Sequence, residues 1–336
     1  MLQHSMNDLG LIDDADQILE KNIKIHLKKV ATSHNPLLKV MEYSCLPAGK
    51  LFRPKLCIAT FADTFGKVST LKALNDPYSP LSLCCTSLEI HHAYTLVHDD
   101  LPCMDDDDTR RGRPSTHKQF SEWEAVLAGD ALLHHGHSLL TKIESPKLKE
   151  LLIFFNWALG AKGLILGQVY DLSGKMRISF ENILHTHKLK TARLIQTSLY
   201  MGLWCSQEKR NLSYNEVKFI LKLGEAIGIT FQLLDDLSEG TEELGKHEKE
   251  VNPFITYPHE SFSSLLDKLD FINKSVTGEE KLFLKEVLKI YFKKMSEIIF
   301  QDFEDKKCLI KGQFKEAFKN LDDWKKLEQQ LKVWEN

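Results

Sequence analysis

Apolar residues return at three- and four-residue spacings along most of this chain, the period of an α-helix. In ADQILEKNIKIHLKKV (15–30) they fall on one side and the charges on the other. SPLSLCCTSLEIHHAYTLVHDDL (79–101) is a longer, mostly apolar run. It must stop before Pro102, because proline disfavours helical geometry in the residue before it. SEWEAVLAGDALLHHGHSLL (121–140) opens on a Ser121–Glu124 capping box, and SYNEVKFILKLGEAIGITFQLLDDLSEG (213–240) opens on Ser213–Glu216. The final segment, FKEAFKNLDDWKKLEQQLKVWEN, is amphipathic and charged. No valine-rich alternating run reads as a strand. Glycine (17) and proline (10) are scarce, which leaves few turns. A length of 336 residues leans towards two domains. Yet no repeat, low-complexity tract or Pro/Ser linker divides the chain, and 240–258 reads as a loop. The expectation is one all-α domain spanning 1–336.

The balance of charge excludes some functions. A formal net charge of −3 gives no global basic field to recruit nucleic acid or an anionic membrane. The seven cysteines (Cys45, Cys57, Cys84, Cys85, Cys103, Cys205 and Cys308) are odd in number and lack metal-type spacing, as expected of free thiols in the cytoplasm. MLQHSMNDLGLIDDADQ has no basic stretch leading into an apolar one, so no signal peptide is expected. LLIFFNWALGAKGLILG (151–167) is broken by Asn156 and Lys162 and falls short of a transmembrane span. A buried helix is expected there.

HDDLPCMDDDDTRRG (98–112) sets six aspartates within 99–108 and two arginines directly after them. Asp99 and Asp100 fall in the last turn of a helix, where the macrodipole disfavours an anion by about 0.3–1 kcal/mol. Asp105 to Asp108 add repulsion. Asp235, Asp236 and Glu239 repeat the pattern at the end of a second apolar helix, with Asp235 and Glu239 on one face. Two helix C-termini carrying the disfavoured charge imply that cations join them, and open clusters of hard carboxylate oxygens suit Mg²⁺. The DxDxDG spacing of a calcium loop is absent. The reverse arrangement occurs in PAGKLFRPKLCIAT (47–60), where Pro54 reads as the first helical position. Lys50 and Arg53 then sit at the positive end of that helix, a place for phosphate. Arg110 and Arg111 offer further phosphate donors. A metal-bridged, polyanionic substrate between acids and bases accounts for both. His98, His134, His135 and His137 read as packing or surface residues.

These residues resemble the short-chain trans-isoprenyl diphosphate synthases, the farnesyl and geranylgeranyl diphosphate synthase family. HDDLPCMDDDDTRRGRPSTH is similar to the first aspartate-rich motif, in the form with two extra residues before the third aspartate. PAGKLFRP is similar to the GGK-x-x-RP element, and LGQVYDL (166–172) to the GGQ-x-x-DL helix. LKTARLI (189–195) is similar to the KT kink, and FQLLDDLSE (231–239) to the second aspartate-rich motif. The resemblance implies an isoprenoid-synthase bundle of about ten helices around a central cavity, a homodimer, and head-to-tail condensation of an allylic diphosphate with isopentenyl diphosphate. It implies that Asp99 and Asp105, with Asp100 nearby, hold two Mg²⁺, and that Asp235, with Asp236 and Glu239, holds a third. It assigns Arg110, Lys190 and Lys246 to the allylic diphosphate, and Lys50, Arg53, His92 and Arg111 to isopentenyl diphosphate. Thr191 and Gln232 would stabilise the allylic cation. Tyr94, five residues before Asp99 with Thr95 adjacent, would form the floor that stops the growing chain. That favours the fifteen-carbon product, farnesyl diphosphate, whereas a deeper floor would give geranylgeranyl diphosphate.

The chain departs from the family pattern at three places. Ala48 replaces the first of two usual glycines, and Glu239 replaces the last aspartate of the second motif. In HEKEVNPFITYP the loop is short and Phe254 stands where a lysine is usual, in a loop expected to be exposed, with Lys249 a possible substitute. Three rivals remain. A class I terpene cyclase of the same fold would have Ser or Thr at Glu239, although Glu243 fits its final position, and it would not need Lys50, Arg53 and His92. A non-catalytic regulatory subunit usually loses aspartates that this chain keeps. A non-enzymatic acidic helical protein would leave the Lys, Arg and Gln elements unexplained.

Overall fold

The computed structural model describes residues 10–30, 35–206, 211–239, 252–278, 281–301 and 321–335. Helices α1 (Leu11–Val30), α2 (Pro36–Cys45), α3 (Phe52–Asn75), α4 (Pro80–Asp99), α5 (Thr116–Gln119) and α6 (Glu122–Leu140) come first. α7 (Leu148–Leu159), α8 (Leu164–Leu172), α9 (Phe180–His187), α10 (Arg193–Cys205) and α11 (Tyr214–Glu239) follow. Later helices span Pro253–Thr256, Pro258–Val276, Leu282–Ser296 and Leu321–Lys332. Among the described residues the only β-structure is a two-residue antiparallel ladder, Thr109–Arg110 with Arg113–Pro114. The fold is the all-α one read from the sequence.

Contacts group the chain into two compact units, Met1–Ile153 with Tyr200–Leu212, and Phe154–Leu199 with Ser213–Asn336. In the first, α4 is the central element. Most of its 20 residues are buried, as expected of a helix apolar on nearly every side. Ser79 caps it by accepting from Ser82 N, and Pro80 occupies its first turn, where a missing N–H costs nothing. α3, α6, α1 and α2 pack around it. Buried Asn22 on α1 donates to Leu74 O and Ser82 Oγ, each at 2.8 Å, and Ser87 on α4 donates to Gly136 O at 2.8 Å on α6. In the second unit, α11 packs on Pro258–Val276 and on the π-helical turn Lys188–Ala192. Its approach to that turn requires glycine: a Cβ on Gly228 would lie 2.4 Å from Ala192 Cα.

Both capping boxes form. Ser121 Oγ donates to Glu124 at 2.6 Å, and Ser213 Oγ donates to Glu216 at 2.9 Å. Three expectations need correction. α3 begins at Phe52, so Pro54 is its third residue rather than its first, and Leu51 caps it in a left-handed conformation at φ 52°. Lys50 and Arg53 remain at that N-terminus.

The apolar stretch around 151–167 is not a buried helix. A turn at 160–163 separates α7 from α8, and Ile153, Trp157, Ile165 and Val169 are 61%, 42%, 42% and 50% exposed. Taken whole, the 25 residues Leu148–Leu172 are long and apolar enough to cross a membrane by length and composition alone. Local periodicity gave no warning that the stretch divides and turns apolar side chains outward.

The third correction concerns Phe254, which is fully buried in Pro253–Thr256 and packs edge-on against Phe262, ring centroids 5.2 Å apart. It is a core residue, not part of an exposed loop.

Candidate active site

In the first unit the cations converge on α4. Arg53 NH1 lies 2.9 Å from His92 Nε2. Burial and the charges of Arg53 and Arg111 hold His92 well below the usual imidazole range, so it is neutral and accepts from Arg53. Burial also lowers Arg53 to about 10, which leaves it protonated at neutral pH. Arg111 follows the acidic loop at a left-handed φ of 55° and reaches buried Glu89 on α4 at 3.2 Å. Its guanidinium passes over Gly49, where a Cβ would meet Nε at 2.9 Å. A larger residue directly before Lys50, which is exposed, would have to displace the Arg111 side chain.

The acidic loop folds back on the end of α4. Asp105 N donates to Asp99 O at 2.9 Å, and Met104 N and Asp106 N donate to Leu101 O. Asp99 and Asp105 are thus tied together through the backbone. Asp100 is 2% exposed and accepts from Arg110 Nε at 2.9 Å, while Arg110 NH2 also contacts Asp100 and donates to Asp107 at 2.5 Å. Burial pushes the Asp100 carboxyl up, against the pull of Arg110. Among the described residues, the three metal-ligating groups whose ligand atoms come within 4.8 Å of one another belong to Asp106, Asp108 and His117. Asp99, Asp100 and Asp105 do not close to that distance. Lys118 already neutralises Asp108 at 2.7 Å.

Tyr94 is 5% exposed and stacks edge-on between His91 and His98, at 4.5 and 5.8 Å. Thr95 turns its hydroxyl to His92 O at 2.8 Å. His98 also contacts Val126 O at 3.1 Å, in keeping with a packing role.

The second unit holds the remaining residues. Lys190 lies in the π-helical turn, its ammonium paired with Asp171 on α8. α8 can lie this close only at Gly167, where a Cβ would be 2.3 Å from Lys190 N. Thr191 Oγ1 donates to Gln232 Oε1 at 3.1 Å, and Gln232 Nε2 donates to Asp236 Oδ1 at 3.0 Å. Asn252 Nδ2 donates to Asp236 O at 2.6 Å and to Glu239 Oε2 at 3.3 Å, fixing the end of α11. Burial raises Asp236 well above the carboxylate range and lowers His187 to about 4. Asp236 Oδ2 is buried without a hydrogen-bond partner, since His187 Nε2 at 3.7 Å is too far to donate. Asp235 lies on the same last turn and Glu239 at its exposed end. Lys246, Lys249 and Glu243 lie outside the described residues.

The donor set fits Mg²⁺. Asp99 with Asp105, and Asp235 with Asp236 and Glu239, offer only hard carboxylate oxygens, and the unpartnered Asp236 oxygen is an acceptor left for a cation. Sequence reading missed Glu89, His187 and Asn252, and although it included Asp171 in LGQVYDL it gave that residue no role. The contacts that define them come from residues 13 to 49 positions distant.

The described residues form an all-helical fold with acids at two helix ends and two guanidiniums, Arg53 and Arg111, near one of them. The residue pattern of the polyprenyl synthetase family matches 34–252, and the chain belongs to that family. It is 36% identical over 220 residues to geranylgeranyl pyrophosphate synthase 12, chloroplastic, of Arabidopsis thaliana. That match spans 62% of this chain and 57% of the plant protein, little more than half its length. It is 35% identical over 239 residues to farnesyl diphosphate synthase of Haemophilus influenzae, spanning 70% of this chain and 77% of that one. The solved geranyltransferase of Helicobacter pylori 26695 superimposes with a TM-score of 0.70 at 29% identity, over 86% of this chain and 99% of its own. A second structure of that transferase, in complex with magnesium and isoprenyl diphosphate, matches equally well, with a TM-score of 0.70.

Proposed function

We propose that this chain is a Mg²⁺-dependent prenyltransferase that joins isopentenyl diphosphate head to tail to an allylic diphosphate, with farnesyl diphosphate as product. One observation carries the reading. α4 bears His92, held by Arg53, and seven residues later Asp99, about 10 Å along the helix. A cation-lined seat and an acid cluster on one apolar helix suit two diphosphates joined through their hydrocarbon parts. Family membership and the magnesium complex of the similar transferase support it.

Isopentenyl diphosphate binds to Lys50, Arg53 and Arg111 beside His92. Arg110, Lys190 and Lys246 grip the allylic diphosphate. Arg110 keeps donors for it, because a guanidinium has five N–H groups and Asp100 and Asp107 use only part of them. Asp99, Asp100 and Asp105, and Asp235, Asp236 and Glu239, would hold Mg²⁺, whose chemistry there would be to neutralise charge on the leaving diphosphate. The allylic C–O bond breaks, and Thr191 and Gln232 offer oxygen dipoles to the resulting cation. The double bond of isopentenyl diphosphate attacks it, and a proton leaves to the departed diphosphate. The buried apolar residues of α4 exclude water that would quench the cation.

Tyr94, about 7.5 Å before Asp99 on the same helix, is the floor in this account, which limits the product to fifteen carbons. A homodimer fits the exposed apolar side chains of α6, where Trp123, Val126 and Leu127 are 64%, 40% and 48% exposed. The test is incubation with isopentenyl diphosphate and each allylic starter in Mg²⁺, followed by identification of product length. Farnesyl diphosphate supports the reading, a twenty-carbon product moves the floor deeper, and no extension refutes it.

A further inference from the structure

Glu89 sits in the middle of α4, 2% exposed and flanked by fully buried Leu88 and Ile90. A carboxylate is buried this deeply only when cations meet it. One does at contact distance: Oε1 accepts from Arg111 NH2 at 3.2 Å. Burial pushes the Glu89 carboxyl up, while the charges of Arg111 and Arg53 pull it back down. Arg111 is anchored a second time, and Arg53 has an anchor of its own. Arg53 meets His92 one turn further along the same helix, at 2.9 Å, and Arg111 reaches Pro47 O at 3.5 Å. Arg53 Nε is buried without a hydrogen-bond partner. Arg111 holds its place from a left-handed backbone over Gly49. Without the carboxylate, Arg111 would lose its buried partner, and the exposed acidic loop that carries it could let it swing away.

We propose that Glu89 is a positioning residue of the isopentenyl diphosphate seat, its buried carboxylate holding the Arg111 guanidinium against α4 for one diphosphate. The inference rests on the assignment of Lys50, Arg53, His92 and Arg111 to that seat. Glu89 does not compete with the substrate, because it takes one of the five N–H donors that Arg111 carries and leaves the rest of the fork for phosphate oxygens. Glutamine keeps the shape and one acceptor oxygen but removes the charge. Aspartate keeps the charge on an arm one methylene shorter.

The experiment is calorimetric titration of the full chain with isopentenyl diphosphate alone in EDTA, where no turnover occurs, alongside steady-state kinetics in Mg²⁺. Glu89→Gln should weaken isopentenyl diphosphate binding by about tenfold, the scale of one modest charge interaction. The rise should appear in the KM for isopentenyl diphosphate, with kcat and the allylic KM unchanged. Glu89→Asp should fall between wild type and Glu89→Gln, and it carries the test alone should Glu89→Gln fail to fold. Unchanged or tighter binding in a folded variant overturns the proposal. So does a fall in kcat and melting temperature without a change in affinity, the mark of a purely structural carboxylate. A wild-type chain that binds no isopentenyl diphosphate refutes the assignment of the seat itself, and the inference with it.

Discussion

The family resemblance puts a lysine at the position of Phe254, which invites the substitution Phe254→Lys as a way to restore a diphosphate contact. The structure predicts the opposite result. The ring is 0% exposed, so transfer from the core to water costs about 2–3 kcal/mol. Its edge-on pairing with Phe262 adds about 0.5–1.5 kcal/mol, and the space left behind brings the total to about 3–5 kcal/mol for truncation. Lysine adds an ammonium with no partner in that core, so its cost is at least as large. The damage should spread to the site, because Phe254 N donates to Asn252 Oδ1 at 3.0 Å and Asn252 in turn holds Asp236 O and Glu239. Denaturant unfolding followed by circular dichroism measures the loss, and steady-state kinetics measure the allylic KM. Stability lowered by about 3 kcal/mol or more, with no gain in affinity, is the expected pair of results. Unchanged stability with a lower allylic KM would show that the side chain points to the substrate and would refute the core placement.

Four further outcomes follow from the same geometry. Arg53→Ala should raise the KM for isopentenyl diphosphate far more than that for the allylic partner, and equal rises in the two would contradict the assignment. Tyr94→Ala should shift the product to twenty carbons or longer by mass spectrometry, and an unchanged product would place the floor elsewhere. Gly167→Ala forces a Cβ to 2.3 Å from Lys190 N, so it should lower the melting temperature and activity together; a variant as stable as wild type would contradict that close contact. Asp99→Ala should reduce turnover by several orders of magnitude, about 3–5 kcal/mol in the barrier, and excess EDTA should abolish it. Near-normal rates in either case would remove the metal-assisted reaction from the account.

What the sequence revealed was local. The acid runs at 99–108 and 235–239 and the capping boxes at Ser121 and Ser213 each lie within a few residues, and a short window carries all the physics they need. α4 was legible because its run is mostly apolar and Pro102 disfavours its continuation. Glu89 was not legible, since a single acid in an apolar helix becomes meaningful only when Arg111, 22 positions later, folds back onto it. His187 and Asn252 were hidden for the same reason, and so was the pairing of Asp171 with Lys190. Phe254 misled because its position was judged by the residue usual there. Its true surroundings, Phe262 and the Asn252 cap, arise from packing that no linear spacing encodes. The 148–172 stretch misled because apolar composition speaks of burial in general, while a short turn decides which faces remain outside.

The central claim is that ionisation of one diphosphate is coupled to formation of a carbon–carbon bond with another. The measurement that tests it most directly is stoichiometry: released diphosphate counted against isopentenyl diphosphate consumed, with geranyl diphosphate as starter in Mg²⁺. The account predicts one diphosphate released per isopentenyl unit incorporated, with fifteen-carbon diphosphate accumulating and nothing released when isopentenyl diphosphate is withheld. Release that continues without isopentenyl diphosphate, yielding cyclised or hydrolysed hydrocarbon, would contradict it.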